Sequence, residues 1–457
     1  VRHYHLMGIG GIGMSGLARL LRKDGHQVSG CDQHSSELTQ ALEREGIRVY
    51  QGHSPAHLEG VDILVASTAI PEDEAELSAA RALGLPVWRR IQVVAEILKG
   101  GFSLGVTGSH GKTSTTAMLY SVFQAAQTDP TVLLGAEYGP LGGSVRAGQG
   151  RYRIAEIDES DPLFRFLSLD IAVITNLEAD HVSPDGKARP NYHTSFEALR
   201  EAMRAFASRA GHVVHSGDPR WGLLEELTRD LPRSRFGLTK GECRAQEVVL
   251  EAFGSRFTLV WQGRPLGQVR LQVPGEHNIA NALAAACAAL VAGLPFEAVQ
   301  EGLARYTGAA RRFERLGELN GALIVDDYAH NATKLQALLQ AARHTGLRVR
   351  AVFQPHRYGR SEREWPLYAQ ALELADEALV LDVYSAGETP LQLSSAQIAE
   401  NIVAHLEARG KRARYCGWDE ALGYLRKSAA PGQLILTIGA GNVSRLGRLL
   451  AAEKEAV

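Results

Sequence analysis

Lys112 and Thr113 close the stretch Gly105-Val-Thr-Gly-Ser-His-Gly-Lys-Thr-Ser-Thr115, and together they are what a nucleoside triphosphate asks of a protein. A lysine supplies a point charge for the β and γ oxygens, and a hydroxyl one residue later suits Mg²⁺. Glycines before them let backbone N–H groups close on the phosphates at a helix start. Residues 103–107 read as a short buried strand and 113–125 as the opening of a helix, with Ser114 in its first turn. The strict G-x-x-x-x-G-K-[ST] spacing needs glycine at 106, where Val106 stands; the glycines are Gly105, Gly108 and Gly111. A glycine-rich turn carrying a surface lysine is therefore the competing reading. The second ingredient is a carboxylate. Glu156-Ile-Asp-Glu-Ser-Asp161 and Asn176-Leu-Glu-Ala-Asp-His181 follow the strand-like runs 152–157 and 171–175. A carboxylate at a strand end facing a phosphate loop suits Mg²⁺, a hard ion that prefers oxygen. Glu156 is the leading candidate and His181 a softer one, with a solvated acidic loop as the alternative.

A second glycine motif lies at Gly8-Ile-Gly10-Gly11-Ile-Gly13, between a strand at 3–7 and a helix at 14–23, with Asp32 ending the next strand. In that context G-x-G-x-x-G binds a dinucleotide or another nucleotide diphosphate. A helix–sheet packing device without ligand is the alternative. Ser67, Thr68 and Ala69 end a further strand at the same carboxyl edge, where open α/β sheets bind ligands. Ser35 and Ser36 are placed to cap the next helix.

These motifs need elements to hold them. At 457 residues the chain is expected to hold about three domains. Strand-like and helical runs alternate over residues 1–99, a mixed region spans 100–308, and alternation returns over 309–457, which predicts an α/β chain with parallel sheets at both ends. Residues 257–261 and 269–273 flank a Gly-Arg-Pro turn as a hairpin. After it, His277, Asn278 and Asn281 open an Ala-rich helix and suit a base edge, with helix capping as the plainer role of Asn278. The last third sets Asp326-Asp-Tyr328-Ala-His330, Gln354-Pro-His356-Arg357 and Gly439-Ala-Gly-Asn442 at strand ends, with Arg311, Arg312 and Arg360 as donors for phosphate or carboxylate. The loop 182–194 cannot hold a regular element.

A net charge of −2 with 22% charged residues gives no basic field, so no nucleic-acid partner is expected. Four dispersed cysteines fit reduced thiols. No run approaches 18 apolar residues and no signal pattern is present, so a soluble, cytoplasmic protein without a membrane partner is expected.

The order and types of these motifs, from Gly8 to Gly16, through Thr107–Thr113, Glu156–Asp161 and Asn176–His181, to Asp326–His330 and Gln354–Arg357, closely resemble the Mur ligases. The resemblance implies a Rossmann-like first domain, a central P-loop ATPase-type domain and a C-terminal Rossmann-like, doubly wound domain. It implies an ATP- and Mg²⁺-dependent ligase that joins L-alanine to the carboxylate of UDP-N-acetylmuramate through an acyl phosphate, acting as a monomer or weak homodimer. The UDP-sugar is assigned to Gly8, Gly10, Gly11, Gly13, Asp32, Ser67, Thr68 and Ala69. ATP is assigned to Gly108, His110, Gly111, Lys112, Thr113 and Ser114, with Asn278 and Asn281 at adenine and Arg312 and Asp326 closing over it. Thr113, Glu156 and His181 are the implied Mg²⁺ ligands, and Tyr328, His330, His356, Arg357 and Arg360 the implied amino-acid residues. Lys112, Glu156, His181, His330 and Arg357 are the expected catalytic set. Where the family commonly reads Asp-Asp-Tyr-Gly-His-His-Pro-Thr-Glu, this chain has Asp326-Asp-Tyr-Ala-His-Asn-Ala-Thr-Lys334. A tripeptide-adding ligase of the same family is the nearest alternative. A nicotinamide-dependent oxidoreductase rests on Gly8, Gly10, Gly13 and Asp32 alone and leaves Lys112 and Glu156 without a role.

Overall fold

Five short strands from the first hundred residues pair in parallel, in the order Arg48–Gln51, Gln27–Asp32, His3–Met7, Ile63–Ala66, Val87–Arg89. Parallel neighbours need crossovers, and the amphipathic helices between the strands supply them. The register sets Met7 opposite both Cys31 and Ala66, so the turn after Met7 emerges between two other strand ends. The computed structural model describes residues 1–67, 69–183, 185–188 and 192–453. Thr68 and part of the 182–194 loop lie outside the described residues.

The chain divides into two compact units. The first comprises Val1–Gln246, Leu259–Gly267 and Ala280–Leu303, and so holds the five-stranded sheet together with the phosphate-loop sheet. One core joins them: Leu17, Leu20 and Leu21 from the helix Ile12–Lys23 share a cluster with Leu133, Ala155 and Ile157. Gly16 makes this approach possible. A Cβ there would lie 2.5 Å from Val145 Cγ1, inside any tolerable contact. Part of the Gly8–Gly16 motif thus serves packing.

In the second sheet the strand Phe102–Thr107 runs between Leu169–Ile174 and Tyr152–Glu156, parallel to both. Its Leu104 and Val106 are fully buried, as a parallel strand covered on both faces requires. Consequently the loop after Thr107, the carboxylate at Glu156 and the segment after Ile174 all leave the sheet at one edge. Gly105 belongs to the strand. A Cβ there would stand 2.5 Å from Leu169 Cδ1, so this glycine admits a neighbour rather than a phosphate. The helix Lys112–Ala125 is buried from Thr113 through Phe123.

The second unit comprises Glu247–Thr258, Gln268–Ile279 and Ala304–Val457. Its sheet runs Glu314–Leu319, Ala322–Asp327, Gln433–Ile438, Arg348–Phe353, Glu377–Val380, Arg412–Tyr415, all parallel except the antiparallel first pair. Val325, Ala351 and Leu436 face one buried cluster, while Ile324, Val352 and Ile435 face another. Alternation with both faces buried is the doubly wound arrangement expected from the sequence. The edge strand Glu314–Leu319 was not anticipated. Among the described residues, no helix is long and apolar enough to cross a membrane.

Candidate active site

Helix Lys112–Ala125 begins at Gly111, whose left-handed backbone (φ 80°) turns the loop into the helix. The first-turn N–H groups of any helix lack intrahelical partners, which makes this end an anion site. The loop is clamped from behind. The His110 N–H donates to Asn176 Oδ1 (2.8 Å), Thr175 Oγ1 donates to the His110 carbonyl (2.5 Å), and the Glu178 N–H donates to Ser109 Oγ (2.9 Å). His110 Nε2 lies 2.6 Å from Glu178 Oε2. Lys112 Nζ donates to the Gly108 carbonyl at 2.6 Å and pairs with Glu159 Oε2 at 2.7 Å, so its ammonium is stretched back over the loop. Burial alone would weaken its hold on the proton. The carboxylates of Glu159, Asp158 and Glu156 outweigh burial and keep the lysine charged, above its ordinary value.

The acidic run divides its labour. Glu156 Oε1 accepts from Thr113 Oγ1 at 3.0 Å and Oε2 accepts from the Gly135 N–H at 2.7 Å, which joins the strand-end carboxylate to the loop hydroxyl as the sequence suggested. Glu159 is 1% exposed, and burial pushes its carboxyl up to about 7 although Lys112 pulls the other way. Asp158 beside it is half-buried. Burial acts to raise it, but Lys112 and then His181 outweigh that and hold it below the ordinary carboxylate range. His181 stands in the left-handed region (φ 56°), uncommon for a residue with a side chain, and the chain beyond it is pinned by a bridge between Val182 and His193. Asn281 faces the loop: a Cβ on Gly111 would collide with its Oδ1. Asn278, described with the second unit, donates from Nδ2 to the Pro274 carbonyl at 2.8 Å, a bond within its own turn.

Gly111→Ala is expected to lower ATP affinity at least about tenfold while the fold survives. A left-handed backbone costs an L-residue about 1–2 kcal/mol, and the new methyl displaces Asn281 as well. Equilibrium titration with ATP checks this; unchanged affinity would place the phosphates elsewhere.

In the first sheet, the N–H groups of Gly8 and Ile9 donate to the Cys31 carbonyl at 2.8 and 3.1 Å, and the Gly10 N–H donates to Asp32 Oδ2 at 2.9 Å. Asp32 therefore shapes the turn directly. A Cβ on Gly8 would press on Ser67, and one on Gly13 would stand 2.8 Å from Arg90 Nε. Ser67 Oγ accepts from the Ala69 N–H at 3.3 Å. Ser36 caps the helix Glu37–Arg44, the plainer role expected of it.

In the second unit, the segments after four strands converge. His356 bridges to Tyr384, its ring stacked on the tyrosine at 5.7 Å and 5.9 Å from that of His330, and Tyr328 lies 5.2 Å from His330. Arg311 and Arg312 lie over the Tyr328 ring at 4.8 and 5.1 Å. Arg357 carries φ 67° and lies 3.8 Å from Glu388. Burial, followed by the charges of Arg360, Arg357 and Arg311, lowers His356 to about 4, so its imidazole is neutral near pH 7. Asp326 is fully buried; it accepts from Thr437 Oγ1 at 2.6 Å and from Arg311 Nε at 3.3 Å. Asn331, one of the departures from the family pattern, caps the helix Ala332–Arg343 by accepting from the Lys334 N–H.

Family models of a single family match the chain in sequence order: the "Mur ligase family, catalytic domain" over residues 3–101, the "Mur ligase middle domain" over 106–289 and the "Mur ligase, glutamate ligase domain" over 311–441. The chain belongs to the Mur ligase family. It is 42% identical to the UDP-N-acetylmuramate–L-alanine ligase of Deinococcus radiodurans, over 97% of this chain and 92% of that one. A crystal structure of the UDP-N-acetylmuramate–alanine ligase of Thermotoga maritima superposes with a TM-score of 0.82 at 28% identity, covering all of both chains. A murein peptide ligase from Psychrobacter arcticus shares the fold, with a TM-score of 0.67 at 22% identity over 100% of this chain and 99% of that one. This Mur ligase is an ATP-dependent, amide-bond-forming enzyme with three α/β domains, and the oxidoreductase reading of the glycine turn is set aside.

Lys112, Thr113 and Glu156, singled out in the sequence, are brought together at one helix start. Nothing in the sequence marks Glu159 as the partner of Lys112 or sets Arg90 beside the first glycine turn. Among the described residues, Arg90 Nε is buried without a hydrogen-bond partner and lies beside that turn.

Proposed function

We propose that this ligase joins L-alanine to the carboxylate of UDP-N-acetylmuramate, with ATP converted to ADP and phosphate. The observation that carries the reading is the Lys112, Thr113 and Glu156 constellation at one helix start, in a chain 42% identical to a relative named for that reaction. The carboxylate of the sugar attacks the γ-phosphorus, ADP leaves, and the amine of alanine then attacks the acyl phosphate and displaces phosphate. Lys112 supports this by holding a fixed positive charge where the β and γ oxygens lie, and the helix N–H groups add fixed dipoles. Thr113 and Glu156 present hard oxygen donors 3.0 Å apart, a set that fits Mg²⁺, and His181 is assigned as the third ligand by family likeness. Bound there, Mg²⁺ neutralises phosphate charge during transfer.

We assign the turn at Gly8, Gly10, Gly11 and Gly13 to the UDP-sugar, with Arg90 and Ser67 beside it. Arg357 and Arg360 are assigned to the carboxylate of alanine, and the neutral imidazole of His356 is suited to accept a hydrogen bond from its amine. A cytoplasmic location is part of this proposal, since ATP and a UDP-sugar are its substrates.

Selectivity tests the assignment. A pocket that recognises one methyl group favours L-alanine over glycine by about 10- to 200-fold in kcat/KM. Mass spectrometry of the product with L-alanine, glycine, L-serine and a preformed tripeptide reads this directly. A preference for the tripeptide would assign the chain to the peptide-adding members instead.

A further inference from the structure

We propose that His5, Cys31, His57 and Glu76 form a binding site for one divalent transition metal of the zinc class, buried beneath the glycine turn of the first sheet. The four residues come from the strands His3–Met7 and Gln27–Asp32, the short 3₁₀ turn Pro55–Leu58 and the helix Ala75–Ala82, and one ligand atom from each lies within 4.8 Å of all the others. His5 and Glu76 are fully buried and Cys31 is 0% exposed. His5 Nε2 stands 2.9 Å from Glu76 Oε1, Cys31 Sγ 3.4 Å from Oε2, and His57 Nδ1 3.2 Å from Oε2. A tetrahedral zinc site with ligand distances of about 2.0–2.3 Å has edges of roughly 3.3–3.8 Å, so small side-chain shifts convert one arrangement into the other.

Two observations point to a ligand rather than to a packed polar cluster. His5 Nε2 and Glu76 Oε1 are paired at 2.9 Å, but with poor hydrogen-bond geometry, and among the described residues neither atom has any other partner. Buried polar atoms are nearly always well satisfied, and a cation bound by both, with the pair opened from 2.9 Å to a tetrahedral edge of roughly 3.3 Å, would satisfy them better than their present contact. The remaining atoms are already oriented as an outer shell would orient them. His5 Nδ1 is 2.8 Å from Ser29 Oγ, the Ser54 N–H donates to Glu76 Oε2 at 2.8 Å, and the Tyr50 ring stacks on His57 at 4.2 Å. Charge also balances. A thiolate and a carboxylate neutralise a divalent ion, and two imidazoles complete a nitrogen, sulfur and oxygen set that suits zinc better than Mg²⁺. His53 Nδ1, 3.0 Å from Cys31 Sγ, adds a partner for the sulfur. Without metal, burial and then the nearby Glu76 push the Cys31 thiol far up, so loading must release its proton.

The site is joined to function through one peptide. The Cys31 carbonyl receives the N–H groups of Gly8 and Ile9, so fixing the Cys31 side chain fixes the turn above it. The inference does not rest on the assigned substrates.

The test uses the full-length, untagged protein, stripped with a chelator and titrated with Co²⁺ and then Zn²⁺. One equivalent of Co²⁺ is expected to give a thiolate-to-cobalt charge-transfer band with intense tetrahedral d–d bands, and Zn²⁺ is expected to abolish them stoichiometrically. An oxygen-rich site at the phosphate loop gives no thiolate band. Cys31→Ser is expected to lose the band and weaken Zn²⁺ binding about 100-fold, and to lose the rise in Tm that Zn²⁺ is expected to give the unmodified chain. His57→Asn, at a half-buried position, is expected to weaken Zn²⁺ binding at least tenfold and decides the matter if Cys31→Ser does not fold. Absence of the band at Co²⁺ saturation, or Zn²⁺ affinity unchanged in the foldable variant, would overturn the site and leave a metal-free polar cluster.

Discussion

Lys112→Ala is expected to lower kcat about 10³-fold while binding of UDP-N-acetylmuramate stays within a few-fold of the unmodified enzyme. Removing one preorganised positive donor from a phosphate site costs about 10²–10³ in rate, and Lys112 is fixed by two contacts over the loop. The sugar nucleotide is assigned to a different sheet, which the substitution does not touch. Breaking a buried ion pair ordinarily destabilises by about 3–5 kcal/mol, because a charge is left unpaired. Glu159 has an exit. Its carboxyl is already pushed up to about 7 by burial, so in the variant it takes a proton instead of remaining ionised. The sign follows from linkage: an acid held above its unfolded value stabilises the fold at low pH, and that contribution is lost as pH rises through the folded value. The variant is therefore expected to unfold at a lower temperature at pH 8 than at pH 6. ADP release, calorimetric titration with UDP-N-acetylmuramate and melting at the two pH values read all three consequences. Equal losses of ATP and UDP-sugar affinity would put both nucleotides in one site.

Glu156→Gln is the second large effect, a fall in kcat of about 10²–10³ with at least a tenfold rise in the Mg²⁺ concentration needed for half activity. The glutamine has the same shape, and its carbonyl can keep the bond from the Gly135 N–H while its amide turns to the Thr113 hydroxyl, so the fold is expected to hold. What disappears is a negative charge and an oxygen ligand beside the phosphates. Rates measured across a Mg²⁺ titration, with melting temperature as the control, separate this from unfolding. An unchanged Mg²⁺ dependence would remove Glu156 from the metal site.

The phosphate loop was legible because its chemistry is carried by residue type at short spacing: a lysine, a hydroxyl and glycines before a helix. The strand ends were legible for a similar reason, since alternation of buried runs fixes where a parallel strand stops. The roles of individual glycines were not. Gly105 and Gly16 look like members of phosphate motifs, yet each admits a neighbour, Leu169 in one case and Val145 in the other, that lies far away in sequence. Glu159 sits three residues from Glu156 in an acidic run, and only burial and a lysine at 2.7 Å show that it serves as a counter-ion. The edge strands Glu314–Leu319 and Gly143–Arg146 pair antiparallel and are short, partly exposed and rich in glycine or charge, so their sequences carry no strand periodicity. His5, Cys31, His57 and Glu76 span most of the first domain with no motif spacing. Parallel crossovers bring them together, and no linear pattern records that.

The measurement that bears most directly on the account is isotope transfer. UDP-N-acetylmuramate labelled with ¹⁸O in its carboxylate, turned over with ATP, Mg²⁺ and L-alanine, is expected to yield one labelled oxygen in inorganic phosphate for each amide formed, because the carboxylate oxygen that attacks phosphorus leaves with it. Label retained entirely in the sugar product, with the released phosphate unlabelled, would contradict phosphoryl transfer to the sugar acid at the Lys112 and Glu156 site.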